Sequence, residues 1–264
     1  MTQVAGVGFD LDGTLFDHYG SARSAVVHFL GSLGVVASDS TLDSWFDAEE
    51  QHFERWRAGE ISFSEQRRER LRSVLPPLGV DVPSGDVDVD ELFGGYLRAY
   101  ESSWRAFPDA LPLLQSLRAS GHRIGLLTNG TEAQQLAKLR RTGLLVEFDV
   151  VCTSERIGFS KPDVRAFAVL ASELGVRPGA CLFVGDDPRK DVDGARAAGM
   201  KALLVDGHRR RGLPIGELVG SAIARSAGAR EGIVEGAVRG RSTTAGQWSI
   251  RAGLEPLRPG PHCR

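Results

Sequence analysis

The spacing of apolar residues changes along the chain, and each change marks a different kind of element. Val4 to Phe9 is a short apolar run without a polar break, which reads as a buried strand. From about Ser21 to Trp104 the apolar positions recur instead at three- and four-residue steps. Ala22, Val26, Phe29, Leu30 and Leu33 share one helix face; Leu42, Trp45, Phe46, Phe53 and Trp56 share a second; Val89, Leu92, Phe93, Tyr96, Leu97, Tyr100 and Trp104 follow at the same steps in a third. Ser64 to Leu75 predicts a further helix, closed by Pro76 and Pro77. These aromatic stripes read as helix-bundle core, and the Arg67 to Arg72 run reads as a solvated helix face with internal charge pairs.

From Phe107 and Pro108 onward, helices and strands alternate. Helices are predicted over 111–117, 132–141, 164–174 and 192–198, and strands over 123–127, 148–152, 181–184 and 202–205, with a short helix over 216–224. Alternation of this kind implies right-handed βαβ units and a parallel sheet, which the strand at Val4 to Phe9 joins. The expected fold class is α/β, a Rossmann-like parallel sheet core with an inserted all-helical domain. Residues 1–16 and 106–226 form the core, 17–105 the insertion, and 227–264 a disordered Gly-, Ala- and Arg-rich tail. Gly228, Gly232, Gly236 and Gly240 repeat in that tail, but Arg230, Glu231, Glu235, Arg239 and Arg241 interrupt any membrane-type packing stripe. The tail is expected to be dispensable.

Composition narrows the picture only a little. Hydrophobic residues make up 42% of the chain and charged residues 25%, as in ordinary globular proteins. A formal net charge of −2 argues against nucleic acid or an anionic membrane as the main partner. Ten Arg face four Glu from Gly207 onward, so the tail differs in character from the body. Cys152, Cys181 and Cys263 form no pairwise spacing, two of them sit inside apolar runs, and they read as small buried hydrophobes in a reducing compartment. No leader precedes the first strand and no apolar run approaches about 18 residues, so a cytoplasmic protein is expected.

Four polar clusters fall at the ends of the core strands. Asp10 and Asp12 follow the first strand, with Gly13 to turn the backbone. Thr128, Asn129 and Gly130 follow the next, and Thr131 with Gln134 has the spacing of a capping box that would aim free N–H groups at the same edge. Lys161 precedes Pro162 and a helix. Gly185, Asp186, Asp187 and Asp191 follow the strand ending at Val184. A turn would account for any one cluster alone. Parallel strands bring all four to one edge of the sheet, where open α/β sheets bind ligands.

The residue types point to phosphate chemistry. Asp10, Asp12 and Asp186, with Asp187 and Asp191 nearby, form an oxygen-rich set suited to Mg2+. A hydroxyl, backbone N–H groups and a lysine opposite it suit a phosphoryl group. One carboxylate can act as nucleophile, and a second can supply and remove the proton.

In order and in context, Asp-Leu-Asp-Gly-Thr, Thr-Asn-Gly, Lys-Pro and the Gly-Asp-Asp cluster resemble the motifs of the haloacid dehalogenase superfamily of phosphohydrolases over about residues 4 to 205. The helical insertion resembles that family's type I cap. Thr128 to Gly143 and Ser154 to Gly199 are most similar to its pyrimidine nucleotidase and acyl-sugar-phosphate phosphatase branches. The resemblance implies Asp10 as nucleophile, Asp12 as general acid/base with its backbone carbonyl on Mg2+, and Asp186 as direct metal ligand. Thr128, Asn129 and Gly130 would hold the phosphoryl and Lys161 would offset its charge, while Asp191 or Asp187 would support the metal or Lys161. The implied activity is Mg2+-dependent hydrolysis of a small phosphorylated metabolite: a nucleotide, a sugar phosphate or phosphoglycolate. An acid two residues after the nucleophile argues for phosphate esters over carbon–halogen bonds. A phosphomutase and a non-catalytic phosphate-binding protein are the alternatives. Closure of the cap is expected to hinge near 17–20 and 105–109.

Overall fold

Every residue of the first strand, β1 (Gly6–Phe9), is buried, with a parallel neighbour on each side. The computed structural model describes residues 3–228. They divide into two units, one of residues 3–17 with 105–228 and one of residues 18–104. In the first, β2 (Arg123–Thr128), β3 (Val150–Thr153), β4 (Cys181–Gly185) and β5 (Lys201–Leu204) complete a sheet of order β3-β2-β1-β4-β5. All pairings are parallel, and Phe9 stands opposite Leu126 on one side and Val184 on the other. The chain builds β2 and β3 outward from β1, then crosses to add β4 and β5. Strand order therefore reverses between β1 and β4, the place where such sheets form a crevice.

The helical unit contains α1 (His18–Ser32), α2 (Asp39–Arg57), α3 (Phe63–Val74) and α4 (Asp86–Ser102). Ser38 caps α2 by accepting the Thr41 N–H, and Ser62 and Glu65 form a complete capping box on α3. The aromatic stripes meet in the interior: Trp45 is fully buried, with ring centroids 4.8 Å from Tyr96 and 5.8 Å from Phe29. The arginine run is only partly the solvated face expected. Arg68 and Arg72 do pair with Asp86 and Asp90 at the surface, but Arg70 is 2% exposed and ion-paired to Glu49 at 3.1 Å. Gln66, Arg70, Leu71 and Val74 share the inward face of α3 by helical spacing, which overrides the polarity of the run.

The core unit adds α5 (Ala110–Ala119), α6 (Glu132–Arg141), α7 (Ser154–Ile157), α8 (Val164–Glu173), α9 (Gly194–Ala197), α10 (Asp206–Arg209) and α11 (Gly216–Gly228). The helix predicted over 192–198 is present as α9, shortened at its start, where the chain enters it through a π-helical turn, Pro188–Asp193. Its cause is local: the Asp187 carbonyl accepts the N–H groups of both Asp191 and Val192, at 3.0 and 3.3 Å. Arg209 ties the C-terminal segment to the loop after β1, donating Nε–H to the Thr14 carbonyl at 2.8 Å and pairing with Asp109 at 2.6 Å. At the base of the helical insertion, the Asp17 N–H donates to the Arg105 carbonyl at 3.0 Å and Arg105 Nε–H returns to the Asp17 carboxylate at 2.8 Å. Cys152 and Cys181 are buried free thiols. The final helix extends to Gly228, and the tail expectation beyond it, with Cys263, lies outside the described residues. Among the described residues no helix is long and apolar enough to cross a membrane.

Helix α8 lies close against the sheet because two strand positions lack side chains. A Cβ at Gly125 would meet the Leu170 and Leu174 methyls at 2.7 and 3.0 Å, and one at Gly8 would meet Leu170 at 2.7 Å. These leucines belong to the cluster that includes Phe167, Phe183 and Cys152, so they have little room to retreat. Gly125→Val is therefore expected to destabilise the fold by about 1–3 kcal/mol through overpacking, read as a lower urea midpoint. An unchanged midpoint would contradict the close approach of α8.

Candidate active site

The ladder between β1 and β4 continues one residue past β1, where the Asp10 N–H donates to the Val184 carbonyl at 2.9 Å. Asp10 is thus fixed at the carboxyl end of the sheet, near Gly185, which ends β4, and Asp186, which follows it. The chain then turns sharply at Gly13, which has φ of 89°. A Cβ there would overlap the Asp186 carboxylate, and one at Gly185 would overlap Asp191. Glycine at these two positions lets three carboxylates converge.

Asp10, Asp186 and Asp191 each offer an oxygen, and these oxygens all lie within 4.8 Å of one another. Lys161 enters the group with its ammonium 2.5 Å from Asp10 Oδ1 and 2.7 Å from Asp191 Oδ1. The second oxygen of Asp191 accepts the Asp187 N–H at 3.0 Å, which holds that carboxylate inward. Thr14 Oγ1 lies 3.3 Å from both Asp10 Oδ2 and Asp186 Oδ1.

Three carboxylates facing one ammonium leave the cluster negative. Burial pushes the Asp10 carboxyl up to about 6; Lys161 opposes the rise, and Asp191 and Asp12 add to it. Burial, then the charges of Asp10 and Asp191, raise Asp186 well above the ordinary carboxyl range. Burial alone would depress Lys161, but its two ion pairs outweigh that and hold the ammonium above its usual range. Hard oxygen donors, a surplus of negative charge and small ligand number fit a divalent cation held by Asp10 and Asp186.

The second strand end supplies Thr128, which is 1% exposed and closes β2. Its hydroxyl oxygen accepts Gln135 Nε2–H at 2.7 Å, and the same amide reaches Asp12 Oδ2 at 3.0 Å. Lys138 pairs with the other Asp12 oxygen at 2.6 Å. Asn129 turns toward Lys161: its Nδ2–H donates to the Lys161 carbonyl at 3.0 Å, and its Oδ1 accepts the Lys161 N–H at 2.8 Å. The amides expected to face the site from the start of α6 are satisfied elsewhere. Gly130 N–H donates to Ser154 Oγ at 2.9 Å and Glu132 N–H to Glu155 at 2.8 Å. Only half of the anticipated capping box forms, with Thr131 Oγ1 accepting the Gln134 N–H at 3.4 Å.

The structure therefore brings Asp10, Lys161, Asp186 and Asp191 together and links Asp12 to Thr128 through Gln135. Asp187 is turned away, its carboxylate accepting the Arg189 and Lys190 N–H groups, each at 2.9 Å, to start the π-helical turn. Thr14, Gln135 and Lys138 join this cluster without a functional signal of their own in the sequence. The pattern available for the last two was Gln135 and Lys138 three apart on the face of α6 that also carries Leu139.

The family model for haloacid dehalogenase-like hydrolases matches residues 4–199. The chain is 38% identical over 102 residues to the glyceraldehyde 3-phosphate phosphatase of Methanothermobacter thermautotrophicus, spanning 39% of this chain and 45% of that protein. It is 31% identical over 233 residues to the phosphoglycolate phosphatase of Salmonella paratyphi A, spanning 86% of this chain and 87% of the relative. Among solved structures, the HAD-family protein YfnB of Bacillus subtilis, described bound to magnesium, superposes with a TM-score of 0.63 at 20% identity over 77% of this chain and 87% of that one. That likeness concerns the fold.

The charge crowding has a measurable consequence when a chelator is present. Asp10 takes up its proton near pH 6 in the folded protein but near its ordinary 3.8 when unfolded. The folded state then binds more protons in that window, so stability withheld above about pH 6 returns as pH falls toward about 4. Asp10→Asn lacks this titration and also relieves Asp186 of the Asp10 charge, so the parent should gain on the variant as pH falls through the window in urea unfolding. A difference that does not vary with pH would contradict it.

Proposed function

The chain belongs to the haloacid dehalogenase-like hydrolases, and from that membership we propose that it is a phosphoric monoester hydrolase working through an aspartyl-phosphate on Asp10. The observation that carries this reading is the buried Asp10 carboxylate with Lys161 at 2.5 Å and Asp186 and Asp191 beside it. Two of the relatives are named as phosphatases of small phosphorylated metabolites. The substrate class proposed here is the same: a nucleotide, a sugar phosphate or phosphoglycolate.

Asp10 attacks phosphorus, and the bond from phosphorus to the ester oxygen breaks as Asp12 gives that oxygen a proton. Water then attacks the aspartyl-phosphate while Asp12 takes its proton, releasing phosphate and restoring Asp10. Lys161 and the Thr128 hydroxyl stabilise the charge on the transferring group. Asn129 supports that step by clamping the backbone of Lys161, and Gly130 leaves room for Gln135, since a Cβ there would lie 3.0 Å from its Nε2. Asp10, Asp186 and the Asp12 backbone carbonyl would hold Mg2+, with Asp191 supporting the site and orienting Lys161. When bound, the ion would neutralise phosphoryl charge as a Lewis acid.

A panel of phosphate esters assayed with and without Mg2+ should show phosphate release that depends on the ion. Asp10→Asn should reduce turnover to background, because an amide is a poor nucleophile. Asp12→Asn should lower turnover by about 10²–10⁴-fold, the usual share of general acid–base catalysis, while the phosphoadduct accumulates. Mass spectrometry after acid quench would locate the adduct, and finding it on a residue other than Asp10 would sink the assignment.

A further inference from the structure

Lys138 is fully buried, yet none of the roles assigned above uses it. Its ammonium lies 2.6 Å from Asp12 Oδ1 and faces the Phe16 ring at 4.9 Å. One turn earlier on the same face of α6, Gln135 is 1% exposed and donates to Asp12 Oδ2 and Thr128 Oγ1. Residues three apart on a helix are neighbours, so one helix face grips both oxygens of one carboxylate.

The grip is costly in ways that simple packing would avoid. A buried ion pair is often replaceable by apolar residues without loss of stability, so its presence is weak evidence for a stabilising role. Among the described residues Gln135 Oε1 is buried without a hydrogen-bond partner, whereas its Nε2 reaches Asp12 Oδ2, Thr128 Oγ1 and, at 3.5 Å, the Asn129 carbonyl. An amide placed for its own satisfaction would use both ends. The reverse orientation would turn Oε1 onto the Asp12 carboxylate. By donating to Thr128 Oγ1, Gln135 also occupies a lone pair of that hydroxyl and leaves its O–H hydrogen to point elsewhere.

We propose that Lys138 and Gln135 are positioning residues: together they fix the Asp12 carboxylate for its proton transfers, and Gln135 turns the Thr128 hydroxyl hydrogen toward the phosphoryl. The proposal rests on the reading of Asp12 as the general acid/base and of Thr128 as a phosphoryl donor. Helix α6 then belongs to the working site rather than to the scaffold alone.

The test is Lys138→Met in the full chain, assayed with the best ester of the panel in Mg2+. A misplaced acid/base should lower kcat by about 10²-fold while KM stays within about threefold. Because Asp12 also serves the hydrolysis of the intermediate, the fraction of Asp10 carrying phosphate at steady state should rise. Gln135→Leu should lower kcat and also raise KM, since it releases Thr128 as well. If Lys138→Met does not fold, Gln135→Leu decides by the same two readouts. A folded variant with kcat and adduct level within about twofold of the parent overturns the proposal, as does a loss of kcat with no change in adduct. A parent chain that forms no adduct on Asp10 would defeat the underlying reading, and this proposal with it. A parent that forms and clears the adduct while the variants do likewise defeats the positioning alone.

Discussion

Lys161 places an ammonium between two buried carboxylates, 2.5 Å from Asp10 and 2.7 Å from Asp191. Without that charge, three carboxylates would crowd one pocket, and removing one partner of such a buried pair typically costs about 3–5 kcal/mol. The surrounding architecture holds this contact from both sides. Asn129 clamps the backbone of Lys161 from the end of β2, and the π-helical turn after β4 delivers Asp191 to its other side. The same lysine keeps Asp10 from rising further toward protonation, so it guards the carboxylate that chemistry at this site would need.

Parallel strands supply the rest. With β1 between β2 and β4, the loops after three adjacent strands open at one edge, at the point where strand order reverses. Glycine at positions 13 and 185 lets the carboxylates approach without steric overlap. The site is therefore assembled from short segments distant in sequence, each held by the ladder behind it. Close packing of α8 on Gly8 and Gly125 keeps that ladder rigid.

Much of this was legible because the relevant signals are local. Apolar runs bounded by polar clusters marked β1, β2 and β4, and the strand-end position of Asp10, Thr128 and Asp186 follows from chain direction alone. Positions that depend on tertiary burial were not legible. Arg70 sits in a run that looks solvated, and Lys138 in a helix whose last turn carries Arg140 and Arg141, so both read as surface charge until the packing is known. Asp187 and Asp191 could not be separated because the choice depends on a widened turn, where Asp187 becomes the cap and Asp191 the inward group. The amides at the start of α6 look free in sequence, since Ser154 and Glu155, which satisfy Gly130 and Glu132, come from beyond β3.

The central claim is that the cluster around Asp10 is a site of phosphoryl transfer. A crystal structure of the protein soaked with Mg2+ and beryllium fluoride, a mimic of a phosphorylated carboxylate, tests it most directly. The account predicts beryllium bonded to an Asp10 oxygen, with Thr128 and Lys161 against the fluorines and the ion on Asp10 and Asp186. Beryllium fluoride bound to another residue, or an ion seated away from Asp10 and Asp186, would contradict it.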